Sequence, residues 1–332
     1  MAIATPPRTE LVHAYVFSSD GVGRRVDADA ALAWLNATPR SSTEFLWLHF
    51  SSPHGISKNW LRHIDLADTF REVLQEERRS SRVSHVQLGL FAVLNEVDYE
   101  PARRTHTSAS TLWLSLRERW LLSAWNGPMQ SVRQLAQDID AAQRFRTPLA
   151  LVVELMNHQS TRLANILRDI SESANRIERM LDRDRLPRRA SLGGYRRDLM
   201  RLQRLLAPDP DSLVQVLNRP PRWASEEDLD TLHLATENFL VVLRDLESLQ
   251  GRITLLVEEI AARVAERTNR SVFVLTAVTV IALPATVIGA LFGMNVGGIP
   301  MRADSYGFSI VLAVSGVLTV AASLWIARLL KD

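Results

Sequence analysis

A row of polar side chains runs along one side of an apolar stretch near the end of the chain. Thr276, Thr279 and Thr286 recur there at helical steps, and Asn269 and Leu283 fall on the same stripe. Such a row can line a water-filled path for an ion, but two spans cannot enclose a path alone, so this interpretation requires symmetric copies of the chain. The alternative is that each threonine hydrogen-bonds to its own helix or lies where two helices touch. The sequence leaves both interpretations open.

A second candidate is formed by Asp230, His233 and Glu237, which follow one another at steps of three and four and therefore share one face of a helix. Carboxylate oxygen and imidazole nitrogen are ligands that zinc accepts, so these residues are a candidate cytoplasmic metal site. Helices rich in acidic residues produce such triples by chance, and a solvated face is the competing interpretation. His49, which lies among the apolar residues of a predicted strand, is expected to be a core histidine.

Two apolar stretches position the threonine row. Residues 271–292 carry no charge and are long enough, at about 1.5 Å per residue, to cross a hydrocarbon core of about 30 Å. A second predicted transmembrane helix, residues 308–327, returns the chain, and residues 293–307 form the loop between them. Basic residues lie outside the pair of spans, at Arg263, Arg267, Arg270, Arg328 and Lys331. By the positive-inside rule, both termini are expected in the cytoplasm.

The first part of the chain, residues 1–145, combines helix and strand signals. The predicted strands are Leu11–Phe17, Glu44–Phe50, His85–Val97, Ser110–Leu116 and Trp120–Trp125. Helices are predicted at Asp27–Asn36 and in the region from Trp60 to Leu74. The strand that ends at Phe50 is nearly continuous in large apolar residues, which is typical of a strand buried on both faces. We therefore predict a cytoplasmic α/β domain.

Residues 146–270 are predicted to be helical. Leu149–Leu181 is long and amphipathic, and a further helix covers Tyr195–Leu206. Ser225, with Asp228 three residues later, has the pattern of a capping box and begins a long run without proline. The sequence thus predicts one helix that forms a cytoplasmic stalk and continues into the first membrane span. The predicted fold class is α+β, with an N-terminal α/β domain, a long helical stalk and two C-terminal transmembrane helices.

The composition excludes several function classes. The chain has no cysteine, and therefore no disulfide, thiolate zinc site or cysteine nucleophile. Its formal net charge of +2 is too small to indicate a nucleic-acid partner. The N-terminus lacks the pattern of a signal peptide, so the large domain is expected to stay in the cytoplasm. No catalytic set or phosphate-binding glycine loop is visible, so we expect no enzyme activity and no cofactor.

A further motif, Gly293-Met294-Asn295, lies at the end of the first span. Alone it is a weak signal, but it closes the run T-x-x-x-x-x-x-L-P-x-T-x-x-x-x-L-F-G-M-N, directly after a long helix that carries basic residues. In this position it resembles the CorA family of divalent metal-ion transporters. Val296–Pro300 and Tyr306–Phe308 resemble the ZntB branch of that family, the zinc transporters. FLWLHF at Phe45–Phe50 and the stretch Pro220–Trp223 extend the resemblance over most of the chain.

The resemblance implies a funnel-shaped homopentamer in a bacterial inner membrane, with a central pore that the first transmembrane helix lines. The pore-lining residues are then Asn269, Thr276, Thr279, Leu283 and Thr286. It also implies that Gly293, Met294 and Asn295 lie at the periplasmic mouth and hold an incoming hydrated ion. A hard divalent ion loses water reluctantly, so amide and carbonyl oxygens can hold its hydration shell and still release it. The implied partners are a divalent metal ion, membrane lipid and further copies of the chain.

Zinc transport, with import driven by a proton gradient, is the function that the ZntB resemblance implies. A CorA-like channel for magnesium, cobalt or nickel, gated by cytoplasmic metal, is the alternative. The chain departs from magnesium-transporting members, which usually carry a Pro-Glu pair after the motif, because here Met301 and Arg302 follow Pro300. Neither predicted span contains a carboxylate or histidine, so a proton-coupled mechanism must place its titrating group elsewhere. A third hypothesis is a membrane-anchored scaffold whose hairpin is only a tether.

Overall fold

The computed structural model describes residues 11–37, 43–53, 56, 60, 63–64, 66–75, 82–86, 89–98, 108–127, 129–187, 192–206, 220–294, 297, 299–300 and 305–329. The chain divides into two compact units, residues 1–257 and 258–332. The first unit contains a sheet with helices on both faces. The predicted domain bounds at residues 145 and 270 stay predictions.

The sheet has the strand order β2-β1-β3-β7-β6-β5-β4. Its strands are β1 Leu11–Phe17, β2 Gly23–Arg25, β3 Phe45–Phe50, β4 Arg82–Val86, β5 Gly89–Asp98, β6 Ser108–Arg117 and β7 Trp120–Asn126. Neighbouring strands are antiparallel except β3 and β7, which are parallel. The parallel pair joins two antiparallel halves into one mixed sheet.

Strand β3 lies inside this sheet, between β1 and β7, and all six of its residues are buried. Phe45 and Trp47 belong to the core on one face, whereas Leu46, Leu48 and Phe50 belong to the core on the other face. This alternation follows from the two-residue period of a strand. The prediction of a strand buried on both faces is confirmed.

Helices cover both faces of the sheet. α1 Ala28–Asn36 and α2 Asp68–Gln75 bury apolar residues in the core that contains Leu46. α3 Gln130–Asp140 and α4 Pro148–Asp182 bury theirs in the core that contains Trp47. The remaining described helices are α5 Leu192–Leu206, α6 Glu226–Gly293 and α7 Gly307–Leu329. The predicted α+β fold class is confirmed.

The prediction of one strand at His85–Val97 is wrong, because the structure has two strands there. β4 and β5 pair antiparallel with Val86 opposite Gly89, and residues 87–88 between them lie outside the described residues. A Cβ at Gly89 would lie 2.4 Å from the carbonyl oxygen of Leu116, so the approach of β5 to β6 requires glycine. The usual turn pairs are absent from Gln87-Leu88, which hides the hairpin in the sequence.

α3 and the short strand β2 were not predicted from the sequence. Residues 61–62 and 65, within the predicted helical region from Trp60 to Leu74, lie outside the described residues, and α2 covers its second half. The predictions of α1, α4, β1, β6 and β7 agree with the structure to within two residues at each end.

The beginning of α6 is fixed by the predicted capping box. The backbone N–H of Asp228 donates to Ser225 Oγ at 3.1 Å, and the backbone N–H of Ser225 donates to Asp228 Oδ2 at 3.3 Å. Thr147 Oγ1, whose oxygen caps α4 by accepting from the N–H of Ala150, donates to Asp228 Oδ1 at 2.7 Å. One buried carboxylate therefore joins the first turns of α4 and α6.

A second connection between α4 and α6 lies further along both helices. The Arg252 guanidinium donates through Nε to Glu178 Oε1 at 2.7 Å and through a second nitrogen to the other carboxylate oxygen. This interaction holds the pKa of Glu178 below its usual range. α6 then continues without interruption to Gly293, as predicted.

Candidate functional site

The second unit contains two helical stretches that are long and apolar enough to cross a membrane, one at the end of α6 and one at Gly307–Ile326 in α7. In the most apolar window of α6 no residue is buried, and in that of α7 only 6% are. Their large apolar side chains are exposed, Phe308 to 80% and Leu275 to 69%. A core helix of a water-soluble protein buries such side chains, so this surface is suited to lipid or to other chains.

Basic side chains flank these stretches. Arg267 and Arg270 are exposed on α6 before the apolar stretch, and Arg263 there donates to Glu259 Oε1 at 2.6 Å. Arg328 is exposed near the end of α7. These described arginines lie at the ends of the two apolar helices that are remote, along the chain, from the connecting loop, as the orientation prediction requires, whereas Arg302 within that loop lies outside the described residues.

The threonine row is exposed, and each of its hydroxyls is bonded to its own helix. Thr276 Oγ1 donates to the Val272 carbonyl, Thr279 to that of Leu275 and Thr286 to that of Ala282, each at 2.9 Å. These are the bonds expected from the alternative interpretation, in which each threonine hydrogen-bonds to its own helix. Each of these bonds uses the hydroxyl proton and leaves the lone pairs of the oxygen free. The oxygen can therefore still accept a hydrogen bond from a water molecule, including one that hydrates an ion.

The row lies on the face of α6 that the rest of the unit leaves uncovered. Half-buried residues recur on one side of the helix, at Ala277, Val280, Ile281, Pro284 and Ile288. At about 100° per residue, Thr279, Leu283 and Thr286 lie roughly opposite that side. Leu283 is 56% exposed, and Asn269 is exposed as well. Thr279, Leu283 and Thr286 therefore face away from the chain's own contacts, whereas Thr276 and Asn269 are exposed at the side of that face.

Pro284 interrupts the hydrogen bonding of α6 within the apolar stretch. A proline has no N–H, so the carbonyl of Val280, four residues earlier, lacks its intrahelical donor. The helix nevertheless continues through this position. Pro284 therefore removes one intrahelical hydrogen bond from the middle of the apolar stretch.

The end of α6 presents oxygen atoms to the connecting loop. The last carbonyls of a helix, here those up to Gly293, have no intrahelical donor and carry the negative end of the helix dipole, which favours a cation. Met294 follows with its side chain 50% exposed. Asn295, the third residue of the predicted set, lies outside the described residues. The ion-holding role of these three residues stays a prediction.

The structure separates the members of the second candidate set. His233 Nε2 lies 3.2 Å from Glu237 Oε1, and both side chains are more than half exposed, at 59% and 62%. Among the described residues, no cluster of three metal-ligating groups includes Asp230. His233 and Glu237 therefore form a solvated pair one helical turn apart, and Asp230 is not brought into it.

A different set of metal-ligating side chains does converge. Asp138 on α3 and Glu154 and His158 on α4 place one ligand atom each within 4.8 Å of one another. The spacing of four between Glu154 and His158 was visible in the sequence. The third member was not, because α3 itself was not predicted.

His49 is buried within the sheet core, as the sequence predicted. Its Nδ1 lies 2.8 Å from Ser123 Oγ, which also accepts from Trp47 Nε1 at 2.9 Å. Burial lowers the pKa of His49 to about 3, so the imidazole is neutral at physiological pH. The residue contributes to packing rather than to a metal site.

Exposed apolar residues on α6 also indicate self-association. Leu234, Val241 and Leu255 are 59%, 48% and 67% exposed and are separated by seven and fourteen residues. This spacing places them on one stripe of the helix, in the pattern by which helices of different chains pack together.

Comparison with known proteins accounts for these features together. The family model of CorA-like Mg²⁺ transporter proteins matches residues 42–328. The divalent cation transporter CmaX of Pseudomonas aeruginosa is 29% identical over 328 residues, which cover 97% of this chain and 96% of CmaX. The zinc transport protein ZntB of Yersinia pseudotuberculosis is 22% identical over 321 residues, which cover 96% and 95% of the two chains.

A solved structure gives the same result in three dimensions. The structure of the full-length CmaX protein superposes with a TM-score of 0.81 at 26% identity, and the match covers 99% of this chain and 100% of that one. The match to the CmaX sequence and the match to the CmaX structure both cover the sheet domain and the two apolar helices. The expectation of a transporter rather than an enzyme is thereby confirmed. The chain belongs to the CorA family and is a membrane transporter of divalent cations.

Proposed function

We propose that this chain transports zinc across a bacterial inner membrane, through a central pore formed by five copies of α6. The observation that carries the proposal is the exposed row of threonines on an otherwise apolar helix. A polar row that faces lipid has no partner there for its hydroxyls. Polar rows that face one another in several copies of the helix can line a water-filled path. The exposed stripe through Leu234, Val241 and Leu255 supports association of the same helix.

The proposed path runs along Asn269, Thr276, Thr279, Leu283 and Thr286. Gly293, Met294 and Asn295 form its periplasmic mouth, where carbonyl and amide oxygens hold the hydrated ion. No carboxylate occurs in the row, so an entering ion meets only neutral donors and is released readily. The basic flanks of the two spans support a cytoplasmic position for both termini and for the sheet domain.

Two observations bear on which ion passes. The match to ZntB over nearly the whole chain, and the absence of a Pro-Glu pair after Pro300, favour zinc. The family description names magnesium, and the relative with 29% identity is a transporter of divalent cations without further specification. A channel for magnesium, cobalt or nickel gated by cytoplasmic metal is therefore the second candidate function.

Zinc uptake into liposomes separates the two candidates. We would reconstitute the purified chain, record an internal zinc indicator, and repeat the measurement with a large external excess of magnesium. The proposal predicts zinc entry that magnesium does not suppress and that Asn295→Ala abolishes. The matched control is Ser305→Ala, which changes an exposed polar residue near the start of α7 and leaves uptake unchanged. Magnesium entry with poor zinc entry would assign the chain to the second candidate.

Proton coupling is the finer part of the proposal and has its own test. The ZntB resemblance implies import driven by a proton gradient, although neither apolar stretch, residues 271–292 or residues 308–327, contains a titratable residue. Zinc uptake should therefore accelerate when the outside of the liposome is made more acidic than the inside. A zinc flux of the same rate with and without this gradient removes the coupling and leaves the transport proposal in place.

A further inference from the structure

We propose that Asp138, Glu154 and His158 form a binding site for a transition-metal ion of the zinc class, at the junction of α3 and α4. The site lies in the first compact unit and shares no residue with the proposed ion path. It does not depend on which ion the chain transports.

Two of the three distances between the ligand atoms are close to those that such an ion requires, and the third is within 4.8 Å. His158 Nε2 lies 3.5 Å from Glu154 Oε1 and 2.7 Å from Asp138 Oδ2. Zinc bonds to nitrogen and oxygen measure about 2.0–2.2 Å, so the ligands of a tetrahedral site are about 3.3 Å apart. The first distance is already close to this value. The second needs an increase of about 0.6 Å, which a small rotation of the Asp138 side chain provides.

The three ligands are held on rigid helices. Glu154 and His158 are one turn apart on α4, and Leu151 and Leu155 anchor that helix in the core. Asp138 lies on α3, which buries Leu135 and Ile139 in the same core. Because ligand positions are set by packed helices rather than by loops, binding requires little ordering of the chain.

The surroundings complete the site in two ways. Gln134 Nε2 donates to Asp138 Oδ1 at 2.9 Å, which orients the carboxylate and leaves Oδ2 for the ion. The side chains of Asp138, Glu154 and His158 are 17%, 24% and 21% exposed, so the site is sheltered and still open to one water as fourth ligand. Two carboxylates and a neutral imidazole balance the charge of a divalent ion.

The donor set also discriminates between ions. Magnesium requires near-octahedral oxygen ligands and keeps most of its water, whereas imidazole nitrogen suits zinc, cobalt and nickel. The alternative without a metal ion is a partly buried ion pair in which His158 only hydrogen-bonds to the two carboxylates. That pair requires no ion and predicts no metal-dependent signal.

Cobalt(II) absorption of the full-length chain in detergent tests the site. Cobalt with four nitrogen and oxygen ligands absorbs visible light far more strongly than hydrated octahedral cobalt, so ions held through their water in the transport path contribute little. We expect one strongly absorbing cobalt per chain, which stoichiometric zinc displaces and a large excess of magnesium does not.

Variants identify the ligands. His158→Gln and Asp138→Asn should each remove the band, and Gln134→Ala should weaken cobalt binding by about 10-fold or more. Glu172→Gln neutralises an exposed carboxylate elsewhere on α4 and should leave the band unchanged. Circular dichroism of each variant checks that the helices are intact. Absence of the band in the wild-type chain, or a band of equal strength in both folded ligand variants, would overturn the proposal.

Discussion

Asp228→Ala is the substitution that tests most sharply how α6 is anchored. The carboxylate is 8% exposed and accepts hydrogen bonds from Thr147 Oγ1 at 2.7 Å, Ser225 Oγ at 2.8 Å and the Ser225 N–H at 3.3 Å. Bonds to a charged group contribute about 1.5–3 kcal/mol each, and removal leaves the Thr147 hydroxyl without its carboxylate acceptor. Because Ser225 is exposed and water can replace part of the loss, we expect a total cost of about 2–4 kcal/mol.

Urea denaturation of the purified chain in mild detergent, followed by tryptophan fluorescence, measures this cost. All the tryptophans except Trp325 lie in residues 1–257, so the signal reports that unit. With a slope near 3 kcal/mol per molar urea, the midpoint should fall by about 1 M. Glu227→Ala is the matched control, because it removes an exposed charge from the same first turn and should cost under about 1 kcal/mol. Equal midpoints for the two variants would refute the role given to Asp228.

Three further predictions concern the buried residues Glu96 and His49 and the threonine row. Glu96 is 6% exposed and accepts from the N–H groups of Gln130 and Ser131 at 2.9 and 3.0 Å, so Glu96→Gln should cost about 2–3 kcal/mol by the same urea assay; an unchanged midpoint contradicts this. The pKa of His49 is about 3 when folded and about 6.5 when unfolded, so the unfolded chain binds the extra proton and stability is lost as the pH falls below 6.5. From pH 6.5 to 5, the free energy of unfolding of the wild-type chain should fall by about 1.5 kcal/mol more than that of His49→Gln. Parallel pH profiles of the two chains would show that burial does not lower the pKa of His49. Thr279→Val should lower zinc uptake severalfold, whereas Thr319→Val, which removes an equivalent hydroxyl bond on α7, should not; equal effects would mean that the row only stabilises its helix.

The features that the sequence predicted are those that depend on short-range patterns. The run from Phe45 to Phe50 has no polar alternation, and only a strand covered on both faces accommodates it. Ser225 and Asp228 are three residues apart and meet within one turn, so the beginning of α6 could be predicted from the sequence. The two apolar stretches were equally plain, because a membrane span needs only length and the absence of charge.

The features that the sequence did not predict depend on contacts between distant residues. The parallel pairing of β3 with β7 joins residues more than 70 positions apart, and no local pattern encodes it. The β4–β5 hairpin lacked a recognisable turn pair, so two strands were predicted as one. The convergence of Asp138 with His158 required the position of α3 against α4. By contrast, Asp230, His233 and Glu237 had suitable spacing, but only two of the three come together.

Zinc accumulation inside liposomes tests most directly the proposal that zinc crosses the membrane through this chain. Vesicles that contain the purified chain, with zinc outside and an impermeant zinc indicator inside, should accumulate zinc faster than vesicles without protein. This accumulation should persist in excess magnesium. A folded chain that admits no zinc, whether it passes magnesium instead or passes no divalent ion at all, would refute zinc transport by this chain.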